Sequence, residues 1–203
     1  MVRLGSSTEY GQRPGPINER APVAPRGFFG ATKAVGSQAV VAAAAGRGLR
    51  SVVLRAFQVY GPLDHPGRLV PSVLRAARTG AVLPLTGPGR RRDWIHVEDV
   101  VEACVTAAKA GNLPAGQVLN LGTGRETANE EVVAEVERAS GRPVHVEPGA
   151  HPGREWDCPS WVCDPRLAAR LLGWHAEISL GEGLARCWAE ELAAWPAAST
   201  VGP

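Results

Sequence analysis

The sequence is poor in tyrosine, lysine and cysteine, and it has no long apolar run. No stretch approaches the roughly 20 residues a helix needs to cross a bilayer, and Ala39 to Ala45 falls far short. The opening Met1-Val2-Arg3-Leu4 lacks the apolar core of a secretory signal, so a cytoplasmic location is expected. The four cysteines, Cys104, Cys158, Cys163 and Cys187, are expected to be free thiols. No second Cys or His pair completes a zinc site around Cys158 and Cys163, so no metal is expected. A net charge of +2 gives no electrostatic case for nucleic acid or an anionic membrane as partner. Tyr10 and Tyr60 are the only tyrosines, and neither has a lysine four residues on; Pro14 and Asp64 stand there.

The chain has 203 residues, 44% of them apolar, enough for a core and one domain or one and a half. Its 24 glycines and 17 prolines suit many short loops. Val2 to Ser6 is short and apolar and runs into polar turn residues, as a buried parallel strand does when its C-terminal end carries chemistry. A Pro-rich loop follows over residues 13 to 26. From about Gly27 to Ala45, alanine, valine and phenylalanine recur with no proline inside, and Gly46-Arg47-Gly48 stops the helix. Ser51 to Ala56 reads as the next strand, which makes a βαβ unit. Later elements read as helices from Leu69 to Arg78, Glu98 to Lys109 and Asn129 to Ala139, with strands at Val118 to Gly122 and Val144 to Val146. Val82 to Leu85 can only be an edge strand, because Pro84 lacks a donor. Thr127 is expected to cap the helix at Asn129, and Pro165 to open another helix at its first position. Ser179 with Glu182 caps the last helix, which is expected to pack Leu184, Cys187 or Trp188, Leu192 and Trp195. The tail from 196 to 203 is expected to be disordered.

Two motifs carry chemistry. Ser6-Ser7-Thr8-Glu9-Tyr10-Gly11 precedes Phe29-Gly30-Ala31-Thr32-Lys33, in which a helix stacks Phe29 and Lys33 on one face. Farther on stands Arg90-Arg91-Arg92-Asp93-Trp94-Ile95-His96-Val97-Glu98-Asp99-Val100. Together they resemble the extended short-chain dehydrogenase/reductases that act on nucleotide sugars: epimerases, 4,6-dehydratases and 4-ketoreductases. The resemblance runs from Val2 to Trp195. It implies an α/β fold, a partial Rossmann-like parallel sheet with a smaller C-terminal substrate-binding lobe. Residues 1–62 would be the Rossmann-like part and 63–195 the mixed lobe, with strands and helices returning to the core.

In that family a Ser or Thr, a Tyr and a Lys form the catalytic set. The resemblance puts these at Ser6, Phe29 and Lys33, with Ser7 beside Ser6 as a substrate contact. Lys33 would also hold the nicotinamide ribose of NAD or NADP. Gln58 stands where the family has an Asn near the substrate's diphosphate, and Arg92 and Arg154 are the implied phosphate or sugar contacts. Arg90 and Arg91 read as a solvated turn and His96 as a structural histidine. Gly122-Thr123-Gly124 matches a structural turn of the family rather than a phosphate loop, because position 127 is not glycine. The implied partner is a nucleoside diphosphate sugar, with a homodimer or pairing with a full-length relative as further options.

Phe29 departs from the family. It keeps the aromatic ring and loses the one titratable atom, so ordinary sugar oxidation is not expected. The family's Gly-rich strand-turn-helix for the dinucleotide is also not present, so NAD(P) is not expected to bind tightly. Three readings follow: a truncated epimerase- or reductase-like enzyme, a non-catalytic nucleotide-sugar or partner-binding module, or an enzyme with another base. The dehydratase branch fits least, because Ser7-Thr8 stand where dehydratases carry Asp-Glu.

Overall fold

The computed structural model describes residues 1–153 and 158–194. Its frame is a three-stranded parallel sheet of β1 (Val2–Ser6), β3 (Val52–Ala56) and β8 (Gln117–Leu121), in the order β1-β3-β8. Leu4 sits opposite Leu54, and Leu54 opposite Leu119. Helix α1 (Phe28–Arg47) crosses from β1 to β3 and ends on Gly48 in the left-handed conformation, whose N–H bonds the Ala44 carbonyl. The expected βαβ unit is therefore present. Among the described residues no strand pairs with the outer edge of β1.

The remaining strands are short, and their pairings are mostly long-range. Within the Pro-rich segment, β2 (Pro16–Ile17) pairs in parallel with β11 (Ser160–Cys163), so this stretch is not all loop. β4 (Gln58–Tyr60) leaves the main sheet and pairs with β7 (Trp94–His96). β5 (Leu83–Leu85) pairs with β10 (Val146–Pro148), two residues later than the expected strand at Val144. β6 (Arg91–Arg92) lies between β11 and β9 (Thr127–Ala128). Arg91 is thus a strand residue, ion-paired to Glu126 and Glu131, and not part of a solvated turn.

Five more helices cover these strands: α2 (Leu69–Thr79), α3 (Val97–Lys109), α4 (Asn129–Ser140), α5 (Arg166–Leu172) and α6 (Leu180–Ala194). Thr127 does not cap α4; it pairs with Arg92, and Ala128 is the cap, its N–H held by Glu131 at 3.2 Å. Pro165 is the cap of α5 and not its first residue. Ser179 caps α6 as expected, accepting from the Glu182 N–H at 3.3 Å. α6 buries Leu184, Cys187 and Trp188, but Leu192 is exposed. Trp195, the tail and Arg154 lie outside the described residues.

Distinct cores result. One unites Leu54, Ile95, Val100, Leu119, Ala168 and Trp174 on the main sheet. Another unites Tyr60, Val73, Trp94, Val132 and Leu184 between α2, α4 and α6. All four cysteines are free thiols. No helix among the described residues is long and apolar enough to cross a membrane.

Candidate active site

Between the ends of β1 and β3 on one side and α2 and β5 on the other lies a cleft of about 770 Å³. That is within the usual range for a ligand site, roughly 300–1,000 Å³. Ser6, Ser7, Phe29, Lys33, Gln58 and Arg92 all line it. Six of the seven residues expected at the site are thus brought together; the seventh, Arg154, lies outside the described residues.

The floor is built from a tight turn. Ser6 ends β1 and caps a 3₁₀ turn over Ser7–Tyr10. Its Oγ accepts from the Thr8 N–H at 3.2 Å and from the Thr8 hydroxyl at 2.9 Å. Glu9, three residues on, reaches back to the Ser6 N–H at 2.9 Å and completes a capping box. Gly5 is needed here, because a Cβ would collide with the Glu9 carboxylate. Gly30 serves the same end on α1: a Cβ there would strike the Thr8 carbonyl, so glycine lets α1 close on the turn.

Below the floor is a buried polar network that sequence reading missed. Glu9 is fully buried and accepts from Ser37 Oγ at 2.9 Å and from Arg55 Nε at 2.8 Å. The Arg55 guanidinium lies 4.6 Å from the centre of the Tyr10 ring. The Tyr10 hydroxyl donates to Asn120 Oδ1 at 2.7 Å, and burial pushes its pKa up to about 12. The Ser6-x-x-Glu9 spacing is a capping-box signal and was the available clue.

The wall is α1. Phe29 is 58% exposed and faces the cleft. Lys33 Nζ lies 5.6 Å from the Phe29 ring centre and donates to the Leu4 carbonyl at 3.2 Å. No other tyrosine substitutes for the missing phenol. Tyr60 is 1% exposed, packs edge-on against Trp94 and His96, and burial raises its pKa further. The notion that Tyr60 at a strand end could carry the proton fails on that geometry.

Arg92 is also buried more deeply than a simple phosphate contact. Its Nη1 donates to the carbonyls of Arg91 at 2.6 Å and Cys158 at 3.0 Å, and its guanidinium lies 5.3 Å from the Trp161 ring. Arg68, at the N-cap of α2, and Ser72 and Arg75 on α2 line the same cleft. Their spacing reads in the sequence as an ordinary solvated helix face, which is why they went unassigned.

Asp93, next to Arg92, is fully buried. Its carboxylate accepts from Thr123 N and Oγ1, Gly124 N and Cys163 N. Burial raises its pKa against those bonds. The amides of Thr123 and Gly124 are therefore turned inward to Asp93, as in a structural turn, and not outward to a phosphate. His96 is likewise structural: Nδ1 accepts from the Glu98 N–H at 3.3 Å and caps α3, while Nε2 is buried without a partner.

The sequence of residues 1–122 matches the NAD dependent epimerase/dehydratase family. The chain belongs to that family. It is 30% identical over 194 residues to the low-salt glycan biosynthesis protein Agl12 of Haloferax volcanii, covering 92% of this chain and 60% of the relative. It is 30% identical to a dTDP-glucose 4,6-dehydratase of Streptomyces niveus, covering 96% of this chain and 58% of that one. In structure it is similar to MoeE5 in complex with UDP-glucose and NAD, with a TM-score of 0.86 and 32% identity, covering 95% of this chain and 65% of that chain. The chain thus spans about three fifths of the length of the curated relatives it matches.

Proposed function

We propose that this chain binds a nucleoside diphosphate sugar in the cleft and, with Phe29 in place of tyrosine, does not oxidise it by the family's usual proton transfer. The observation that supports this most is the convergence of Ser6, Phe29, Lys33, Gln58 and Arg92 on one cleft at the ends of parallel strands. Arg92, Arg68 and Arg75 supply positive charge for a diphosphate. Gln58 offers an amide to the same region, and Ser6 a hydroxyl to the sugar. We assign residues 1–62 the reactive end of the site and 63–195 most of the sugar-nucleotide contacts.

NAD or NADP, when bound, supplies hydride transfer in this chemistry. The residues present fit only its nicotinamide end, where the Lys33 ammonium lines the cleft and has donors to spare for a ribose hydroxyl. For the pyrophosphate they do not fit: the strand, Gly-x-Gly, helix run at β8 and α4 has its amides on Asp93. Proton transfer lacks a carrier. An isolated serine hydroxyl is far from neutral pKa, and Tyr10 and Tyr60 are buried.

An epimerase- or reductase-like ancestry is favoured over a dehydratase one. Ser7 and Thr8 follow Ser6, and neither is an acid. The nearest carboxylate, Glu9, is withdrawn beneath the floor and tied to Arg55.

The test is calorimetry and thermal melting with UDP- and dTDP-glucose. Ligand at about 100 times its Kd should stabilise the fold by roughly 2.7 kcal/mol. NAD⁺ and NADPH should show no micromolar binding. Absence of any response to millimolar sugar nucleotides would overturn the proposal.

A further inference from the structure

Trp161 touches both ends of the cleft that it lines. It stands opposite Arg92 across the parallel β6–β11 pair, and its ring lies 5.3 Å from the Arg92 guanidinium. Its carbonyl accepts from the Asp93 N–H at 2.9 Å, which ties the two strands together at this point. An indole has a single hydrogen-bond donor. Trp161 gives it to the Gly11 carbonyl, at 3.0 Å and 150 positions away in the chain. Gly11 is where the turn that carries Ser6 ends. It closes the 3₁₀ turn over Ser7–Tyr10, with its N–H directed to the Thr8 carbonyl at 3.4 Å. Its φ is +67°, and a Cβ there would collide with the Ala24 carbonyl. The turn is therefore pinned twice: Glu9 holds the Ser6 N–H at one end, and Trp161 holds Gly11 at the other.

An indole is a rigid plate on two rotatable bonds. The Gly11 carbonyl on its N–H and the guanidinium on its face are therefore kept at a fixed separation. Resting on the nucleotide-sugar reading above, we infer that Trp161 is a positioning residue of this site. It sets the Ser6 turn, which meets the sugar, at a fixed offset from Arg92, which meets the diphosphate. The N–H registers the turn and the ring face registers the guanidinium, so one contact can be removed without the other. A residue that only filled the core would serve both ends of the cleft alike.

Calorimetric titration with UDP and with UDP-glucose separates the two contacts. Trp161→Phe keeps an aromatic face for Arg92 and removes the indole N–H. UDP should then bind within about twofold of the parent, and UDP-glucose about tenfold more weakly. Trp161→Leu removes the face as well, and should weaken both probes about tenfold. A merely loosened fold would weaken both probes alike in the phenylalanine variant. The unaltered protein gives a second reading through its indole N–H resonances. The Trp161 signal, assigned by its contacts with the Arg92 side chain, should move when UDP alone is added. A signal that stays still, or any other pattern of affinities in Trp161→Phe, would overturn the inference and leave the nucleotide-sugar reading intact. Failure of the parent to bind UDP-glucose would overturn both.

Discussion

Lys33 holds its ammonium nitrogen 5.6 Å from the centre of the Phe29 ring, one helical turn away, at the rim of the cleft. The pair keeps the spacing that would tune a phenol, with the phenol's oxygen removed. An ammonium within about 4–6 Å stabilises a phenolate and lowers its pKa. Phe29→Tyr should therefore create a phenol titrating about one unit below the ordinary value near 10. Ultraviolet difference titration can isolate it, because burial pushes the Tyr10 pKa up to about 12 and raises that of Tyr60. Adding Lys33→Met should return the new phenol to 10 or above. A phenol indifferent to Lys33 would remove the electrostatic argument for this pair.

His96 makes stability depend on pH. Its ring is buried, Nδ1 caps α3, and burial lowers its folded pKa below the ordinary 6.5. The charged groups around it are Glu98, Asp99, Glu182 and Arg186, with the Tyr60 ring packed edge-on. Because the folded pKa is the lower one, the unfolded chain binds the proton more readily as pH falls below about 6.5. Stability is then full above that pH and is lost as pH drops towards the folded pKa, by up to about 1.4 kcal/mol per unit. His96→Asn keeps a capping acceptor and removes the titration. Denaturant curves from pH 5 to 7.5 should converge at the acid end, with the wild-type slope flattened in the variant.

The buried ion pair under the floor should be a large single contributor to stability. Glu9 and Arg55 meet at 2.8 Å with side chains 0% and 6% exposed. Glu9→Gln strands the Arg55 charge in the interior and should cost about 3–5 kcal/mol in urea unfolding. Ser37→Ala, which removes one bond to the same carboxylate, should cost about 1 kcal/mol. Replacing both charges, as Glu9→Gln with Arg55→Met, should recover much of the loss. Similar losses in the two Glu9 variants would mean that the network, and not the unpaired charge, dominates.

What the sequence made legible follows from what is local. α1 runs through a continuous Ala/Val stretch between Gly27 and Gly48, and β1, β3 and β8 are short apolar runs, so periodicity and turn residues were enough. Ser6, Phe29 and Lys33 were legible because their spacing is fixed by one strand end and one helix turn. β2, β6, β9 and β11 were not, because two to four residues carry no period, and their pairing is decided by partners such as Asp93, which bonds Cys163 across the fold. Thr127 was misread for a related reason. It has a capping side chain, but pairing with Arg92 places it one step too early. Glu9 is turned inward by the three-dimensional placement of Arg55 and Ser37, which no local pattern carries.

Gly183 ties α6 to the aromatic cluster. A Cβ there would collide with the Tyr60 hydroxyl and press on His96. Gly183→Ala should therefore lose about 1–3 kcal/mol, the usual penalty of overpacking. Tyr60→Phe removes the obstructing oxygen, whose bond to the Leu180 carbonyl is long at 3.5 Å. The double variant should regain most of the loss. If it does not, the strain lies at the Tyr60 ring carbon, 2.9 Å from that Cβ, or at His96.

Arg92 joins the fold to the site, and two substitutions can separate those roles. Its Nη1 is held by the Arg91 and Cys158 carbonyls, yet the residue lines the cleft where a diphosphate would lie. Arg92→Ala removes both the carbonyl bonds and the charge, and should cost about 2–3 kcal/mol of stability. Arg92→Lys keeps a point charge on a flexible stem but cannot reproduce the planar fork, so it should lose a similar part of that stability. Their effects on UDP-glucose affinity should differ. The alanine variant should bind about tenfold more weakly, and the lysine variant should retain most of the affinity because a charge remains. If both variants bind the sugar nucleotide as tightly as the parent, Arg92 is a structural pin only. The diphosphate would then rest on Arg68 and Arg75 across the cleft, and Arg75→Ala becomes the substitution that should abolish the thermal shift.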